Sequence, residues 1–391
     1  MSALSPRFFV TGGTGFVGRR LVDVLRRELG AEVTVLAHRT SVGALKLAAQ
    51  GVTLDFTPIT NTEALAKAVA GHDAIFHLAY GRYGTASDMR RTTIDGTKAV
   101  VDAALVANVR RFVNVSTAAV YFGAPDGCVD ERFPRRKWGW NYSDEKLAAE
   151  ETVTQATAER GLQGSTFQVA GVYGPGGETF VVNPLRNMKR GTVVLPNQGE
   201  GIANLTYVDD VVQALILGLK DEAIGETFII KGPGTVTRME LYLRLTKMLE
   251  RDAVKGMSTQ DVKEALRGQR DWRAIGRLFP EAIKALKASE GFVQTLRSTP
   301  LMPLARKLAG PSSRRARRLA LPGPITGTGH HNQANLIFPP AILVDYLAAR
   351  VEFSSEKAKT CLGYSPAVAF SEGMERTEQW AQWAALTSSR V

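Results

Sequence analysis

The stretch that most limits what this chain can become is Thr11-Gly12-Gly13-Thr14-Gly15-Phe16-Val17-Gly18. Before it stands the apolar run Phe8-Phe9-Val10. After it, from Arg19 to Leu29, Leu21, Val22, Leu25 and Leu29 recur near helical spacing. A buried strand, a tight turn and a helix start are therefore expected in that order. A helix start offers unpaired N–H groups and the positive end of the helix dipole, which suit a pyrophosphate. Gly12 permits the turn, Gly15 lets backbone approach phosphate, and Gly18 lets helix lie against strand. The spacing predicts a dinucleotide site, with Gly12, Thr14, Gly15, Phe16 and Gly18 around the phosphates.

Glu32 to Ala37 reads as a second strand. It ends at His38-Arg39-Thr40-Ser41, about 20 residues after the turn, where this kind of fold meets the adenosine ribose. A carboxylate there would accept both ribose hydroxyls and favour NAD, but none is present. Arg39 can instead pair with a 2′-phosphate, with Thr40 and Ser41 as further donors. NADP is therefore favoured over NAD, with His38, Arg39 and Thr40 at the cofactor. Helices are expected over 42–50, 62–70 and 93–107. Strands are expected over 52–56, 74–79 and 111–117, the last ending in the hydroxyls of Ser116 and Thr117. Strands alternating with helices predict an α/β fold, a Rossmann-type doubly wound parallel sheet that binds ligands at the strands' carboxyl ends. His77, on an apolar strand, is expected to be a hydrogen-bonded core residue rather than a base.

Tyr142-Ser143-Asp144-Glu145-Lys146 opens a further helical run. One turn separates Tyr142 from Lys146, so both side chains share a face. A nearby ammonium favours the phenolate, and such a phenol can exchange a proton with an alcohol or ketone as hydride moves to or from a nicotinamide. Together these features predict an NAD(P)-dependent oxidoreductase acting at a secondary alcohol or ketone.

These residues jointly resemble an extended short-chain dehydrogenase/reductase of the NAD-dependent epimerase/dehydratase branch. Thr11 to Gly18 matches its TGxxGxxG motif, and His77-Leu78-Ala79 its HLA segment. Asp95-Gly96-Thr97 is similar to its EGT, and Ser116 to Tyr121 to its SSxxVYG. Gly171-Val172-Tyr173-Gly174-Pro175-Gly176 resembles the loop beside the nicotinamide, and Tyr207 to Val211 a segment of the substrate region. Phe353 to Ala358, Leu362 to Pro366 and Phe370 to Gly373 resemble the family's closing segments. The resemblance implies that Thr117, Tyr142 and Lys146 are the catalytic set. It also implies that Leu78, Ala79, Ser116, Tyr142, Lys146 and Val172 lie at the cofactor. Its commonest implication is an epimerase or reductase on a nucleotide-sugar or related carbohydrate. An NADPH-dependent ketoreductase on a lipid- or polyketide-like substrate is the alternative, and a non-catalytic dinucleotide-binding scaffold or sensor a further one. Relatives often form homodimers through the helices beginning near Thr93 and Tyr142. Pro58, Thr93 and Gln168 stand where the family carries Asp, Asn and Arg. Ala118 and Ala119 replace the acid pair of sugar dehydratases, which argues against a 4,6-dehydratase. A Rossmann domain is expected over 1–165, with returns at 166–175 and 203–232. A substrate-binding lobe is expected over 176–202 and 233–391.

The chain has 391 residues and a net charge of +11. Between Arg251 and Ala320 there are 16 Lys or Arg against 6 Asp or Glu, so the excess charge sits in one segment. This basic helical insertion, 251–340, has short amphipathic helices in prospect and the cluster Arg314-Arg315-Ala316-Arg317-Arg318. A solvated cap, docking on an anionic membrane surface through 281–320, and contact with an acidic substrate or partner protein all remain open. Nucleic acid is not expected, because no aromatic platform accompanies the charge. No apolar run reaches the roughly 18 residues of a membrane span. Arg7 beside the first strand leaves no room for a signal peptide, and two cysteines are too few for a disulfide scaffold. A cytoplasmic protein is the expectation, peripheral at the inner membrane surface if the basic segment docks there. No His/Cys cluster has metal-ligand spacing, and the pair His330-His331 lacks further ligands.

Overall fold

A computed structural model describes residues 5–268 and 335–387. The basic stretch 281–320, with its expected membrane or partner contact, lies outside the described residues. The chain divides into two units, residues 1–262 with 335–391, and residues 263–334. The fold below is that of the first.

Strand and helix alternate from the start: β1 (Arg7–Thr11), α1 (Phe16–Arg27), β2 (Glu32–Leu36), α2 (Val42–Ala49), β3 (Thr53–Asp55), α3 (Thr62–Val69) and β4 (Ala74–His77). After them come α4 (Ala86–Arg90), α5 (Gly96–Val106), β5 (Arg111–Thr117), β6 (Gly127–Val129), α6 (Asn141–Arg160), β7 (Gly164–Val169) and β8 (Gly171–Tyr173). The second half holds α7 (Asn183–Arg190), β9 (Thr192–Leu195), β10 (Leu205–Tyr207), α8 (Val208–Leu217), β11 (Thr227–Ile230), α9 (Arg238–Leu249) and β12 (Val254–Gly256). It closes with α10 (Thr259–Gly268), β13 (Leu336–Ile337), α11 (Val344–Ala348), β14 (Val351–Phe353), α12 (Glu356–Leu362) and α13 (Phe370–Trp383).

Seven strands pair in the order β11-β7-β5-β4-β1-β2-β3, and every pairing is parallel. Helices cover both faces because side chains alternate across each strand. Phe8 and Val10 of β1 and Phe76 of β4 pack with Leu21 and Leu25 of α1 and Val211 and Leu215 of α8. The intervening Phe9 and Ile75 join Phe112 of β5, Leu65 of α3 and Val100 and Val101 of α5 on the other face. Full burial of each such side chain contributes roughly 1.5–3 kcal/mol. The strand order reverses between β1 and β4, so the ligand crevice opens above Thr11 and His77.

A second core gathers Leu185 and Met188 of α7, Val193 and Leu195 of β9, and Leu241 and Leu245 of α9. Here β9 lies between β12 and β13. Residues 254–256 and 336–337 are thus built into this sheet rather than inserted. The strands at which the chain leaves and re-enters this sheet, β12 and β13, flank β9 on its two sides. The C-terminal segment is tied back by polar pins. Asn204 donates from Nδ2 to the Val351 carbonyl at 2.7 Å and accepts the Phe353 N–H at 2.9 Å. Asp210 accepts the N–H groups of Ala367 and Val368. Among the described residues no helix is long and apolar enough to cross a membrane.

One element differs from expectation. Helix begins at Ala86 rather than near Thr93, and passes through a π-helical turn at Arg91–Asp95 into α5. The start is fixed by a reciprocal cap between Thr85 and Asp88. The wider turn lets the Thr93 hydroxyl donate to the Met89 carbonyl while accepting the Gly81 N–H, both at 2.9 Å.

Candidate active site

The glycine turn is packed backbone against backbone. Gly12 has φ +71°, and a Cβ there would stand 2.8 Å from Ala79 N and Leu78 C, the chain just beyond β4. A Cβ on Gly18 would collide with the Gly12 carbonyl oxygen and lie 2.8 Å from Gly13 Cα. Gly15 is exposed, α1 begins beside it without a side-chain cap, and no acid occupies its first turn. The start of α1 is therefore open to an anion, and the cradle fits a pyrophosphate. Thr14 is half-buried beside α2. Phe16 lies at the loop after β8, within 3.3 Å of where a Cβ on Gly177 would sit. Val172 packs at the seam of the two large cores.

His77 is a core residue, as expected. Its Nδ1 meets Thr11 Oγ1 at 2.8 Å and its Nε2 meets Thr97 Oγ1 at 2.9 Å. The direction of these bonds can be assigned. Thr11 Oγ1 accepts the Ala79 N–H, so its own proton goes to Nδ1. Thr97 donates to the Thr93 carbonyl, so its oxygen accepts from Nε2–H. A neutral ring completes this chain, and burial, with the Lys146 charge nearby, pushes its pKa down to about 3. Unfolded histidine binds a proton near pH 6.5 and the native residue does not, so stability is lost as pH falls from 6.5 towards 3. The loss from this one group is about 1.4 kcal/mol per pH unit. Urea titrations of wild type and His77→Gln between pH 6.5 and 4 are expected to show that difference in slope, whatever the variant's absolute stability.

Two elements carry the three expected catalytic side chains, β5 with Thr117 and α6 with Tyr142 and Lys146. Thr117, its last residue, accepts the Ala119 N–H at 3.2 Å, which leaves its hydroxyl proton free to point away. It lies close enough to the Tyr142 phenol to favour its ionised form. The start of α6 is bolted in place beside it. Ser143 Oγ donates to the Ala119 carbonyl at 2.8 Å, and Asp144 accepts the N–H groups of Trp138 and Gly139, each at 2.9 Å. One turn on, buried Lys146 donates from Nζ to the Val115 carbonyl at 2.7 Å. Tyr142 also packs against the chain that follows β4, where the Tyr80 ring centroid lies 5.8 Å from its own.

The electrostatics differ from the sequence expectation. Burial pushes the Tyr142 phenol up to about 12, the nearby Thr117 hydroxyl offsetting part of this. Lys146 does not draw it down, because its ammonium is turned to a backbone carbonyl. Burial lowers Lys146 itself to about 8, with Glu150 opposing. The resting phenol is thus protonated at neutral pH.

Ser116 points the other way from Thr117, as neighbours on a strand must. Its hydroxyl has no partner of normal geometry, yet it lies close enough to steady the Glu150 carboxylate. His38, Arg39 and Thr40 follow β2, all exposed. Ser41, expected to help them, caps α2 by accepting the Ala44 N–H.

A wall of aromatic rings beside Tyr142 was not anticipated. Trp140 stands 5.3 Å from Tyr142, Phe122 5.5 Å from Trp140, and Tyr346 of α11 5.5 Å from Phe122 in a stacked arrangement. Trp138 lies 6.3 Å from Phe122, with the Arg136 guanidinium 3.9 Å above its ring. Aromatic residues at 138, 140 and 142 were a legible signal. Nothing near Tyr346 in the sequence pointed here. Among the described residues no group of His, Cys, Asp and Glu side chains could hold a metal.

The sequence profile of the NAD dependent epimerase/dehydratase family matches residues 8–230. A 4-hydroxy-2-methyl-3-oxo-4-farnesyl-3,4-dihydroquinoline-1-oxide ketoreductase of Stigmatella aurantiaca is 29% identical over 278 residues, covering 69% of this chain and 81% of that one. A 3-beta-hydroxysteroid dehydrogenase of Mycolicibacterium neoaurum is 31% identical over 233 residues, 56% of this chain and 63% of that one. The dTDP-glucose 4,6-dehydratase of Streptomyces venezuelae, solved with NAD, superposes with a TM-score of 0.67 over 96% of this chain and 97% of its own. At 20% identity that likeness speaks for the fold alone. With the glycine cradle, the seven-stranded sheet and the Tyr142–Lys146 helix in place, the chain belongs to the NAD-dependent epimerase/dehydratase family of extended short-chain dehydrogenase/reductase enzymes, whose reactions are NAD-dependent oxidoreductions of the epimerase/reductase type.

Proposed function

We propose that the protein reduces a flat, apolar ring ketone to a secondary alcohol, or runs the reverse reaction, with NADPH preferred over NADH. The observation that carries this reading is the wall of Trp140, Phe122, Tyr346 and Trp138 beside the Tyr142 phenol. Ring faces favour a planar apolar partner, and polar sugar hydroxyls would lose water there without replacement. The two named relatives, a farnesyl-quinoline ketoreductase and a steroid dehydrogenase, support the same class.

Backbone at Gly12, Gly15 and Gly18 would hold the cofactor's pyrophosphate, with Arg39 and Thr40 at a 2′-phosphate. Lys146 would hold the nicotinamide ribose, with Leu78, Ala79 and Val172 beside the ring. When bound, the nicotinamide supplies or accepts the hydride. Thr117 orients the substrate oxygen by a hydrogen bond. Tyr142 Oη gives that oxygen its proton, and the phenolate left behind is steadied by the Thr117 hydroxyl beside it. A phenol protonated at rest is already in the form that reduction needs, which favours a reductase over an epimerase.

Cytoplasmic placement is part of the proposal, supported by two exposed free cysteines, Cys128 and Cys361. Epimerisation of a nucleotide sugar by the same three residues is the second reading, and it rests on the family match.

The test is turnover by the full chain, given NADPH or NADH and either 2-tetralone or UDP-glucose. NADPH oxidation with the bicyclic ketone and none with the sugar is expected. Epimerisation of the sugar without added cofactor would overturn the reading. In the same assay Arg39→Ala should raise the NADPH KM by about 10- to 100-fold, the worth of a charge-assisted bond, and leave NADH unaffected.

A further inference from the structure

Glu150 lies on α6 one turn beyond Lys146, its side chain without any exposure. A carboxylate taken out of water needs partners, and here they come from three other elements. Arg135, from the loop between β6 and α6, pairs with Oε1 through its guanidinium. Gln168 of β7 donates to the same oxygen at 2.8 Å. That amide has no freedom to turn, because Tyr121 donates to its Oε1 at 2.8 Å. Ser116 of β5 lies close enough to favour the carboxylate without a hydrogen bond of normal geometry. On its own helix the carboxylate attracts the Lys146 ammonium. The remaining charged or titratable neighbours are Glu131, near Tyr121, and neutral His77, near Lys146.

Gln168 stands where the family resemblance led us to expect an arginine. The missing positive charge is supplied by Arg135, which belongs to the loop that carries Trp138 and Trp140. One helix therefore grips that loop twice, through Asp144 at the Trp138 and Gly139 N–H groups and through Glu150 at Arg135.

We propose that Arg135 and Glu150 are positioning residues whose ion pair clamps the Trp138/Trp140 wall to the helix of Tyr142 and, through Glu150, keeps the Lys146 ammonium charged; this rests on the catalytic reading given above. Burial already raises the Glu150 pKa and Arg135 opposes that rise, so without Arg135 it rises further and the negative charge that opposes the desolvation of Lys146 is weakened. The loop then loses one of its two anchors.

The test compares the full chain with Arg135→Gln, Arg135→Lys and Glu150→Gln. Arg135 is a third exposed and Arg135→Lys keeps a positive charge opposite Glu150, so a thermal melt of each variant, with Arg135→Lys as the folded reference, ensures that native states are compared. In Arg135→Gln and Glu150→Gln, amides of residues 135–140 are expected to exchange hydrogen about tenfold faster, as one anchor of a local opening is removed. The pH at which NADPH binding weakens is expected to move down by about one unit in both. Arg135→Lys, which keeps the charge, should hold that midpoint at the wild-type value. Absence of either shift in Arg135→Gln overturns the proposal. Exchange is read without turnover, and Lys146→Ala separates the two claims. If that variant leaves the pH dependence of NADPH binding intact while exchange rises as expected in Arg135→Gln, the role given to Lys146 fails and the clamp on the loop stands.

Discussion

Turnover is expected to fall by about 10²- to 10⁴-fold when Tyr142 becomes phenylalanine, with NADPH affinity little changed. Phenylalanine keeps the ring that packs against Trp140 and Tyr80 and removes only the oxygen that meets Thr117. The loss should therefore appear in kcat, and the melting temperature should stay near that of the wild type. Steady-state rates with 2-tetralone and a separate NADPH titration distinguish the two quantities. A variant with more than half the wild-type rate would remove Tyr142 from the reaction. The basic limb of the wild-type pH profile should carry Lys146, whose charge is lost near pH 8. The phenol's raised pKa keeps the proton donor intact throughout that range.

The second large effect is expected at Gly18. In Gly18→Ala the new methyl meets the Gly12 carbonyl oxygen and Gly13 Cα, both backbone, so no side chain can give way. The turn itself must shift. Overpacking of this kind costs about 1–3 kcal/mol in stability. It should weaken NADPH binding by about 100-fold, because the N–H groups that would face the pyrophosphate move with the turn. Gly43→Ala is the control. In α2 the nearest atoms to its added methyl are 3.7 Å away, an ordinary contact. Alanine there should be neutral or slightly stabilising. Thermal melts and cofactor titrations of both variants check the contrast. A Gly18→Ala protein that binds NADPH as the wild type does would refute the phosphate cradle.

Features that depend on near neighbours in the chain were open to reading. The turn at Gly12 to Gly18 was visible because apolar strand, glycine spacing and amphipathic helix all fall within some twenty residues. The shared face of Tyr142 and Lys146 follows from helical pitch alone. His77 was legible as a core residue from the apolar strand around it. The cap at Thr85 and Asp88, which moves a helix start by several residues, was present as a spacing but was masked by the stronger apolar pattern after Thr93.

The sequence by itself determined the alternating fold, the glycine turn between β1 and α1 and the shared helix of Tyr142 and Lys146, because each is a short-range consequence of spacing. Tertiary structure alone decided three further matters: that Tyr346 closes the aromatic wall, that Arg135 supplies the charge Gln168 lacks, and that the Tyr142 phenol rests protonated. Burial is a sum over segments far apart in the chain, and desolvation outweighs a neighbouring ammonium once that ammonium is turned to the Val115 carbonyl. No local pattern records which distant side chain will exclude the water.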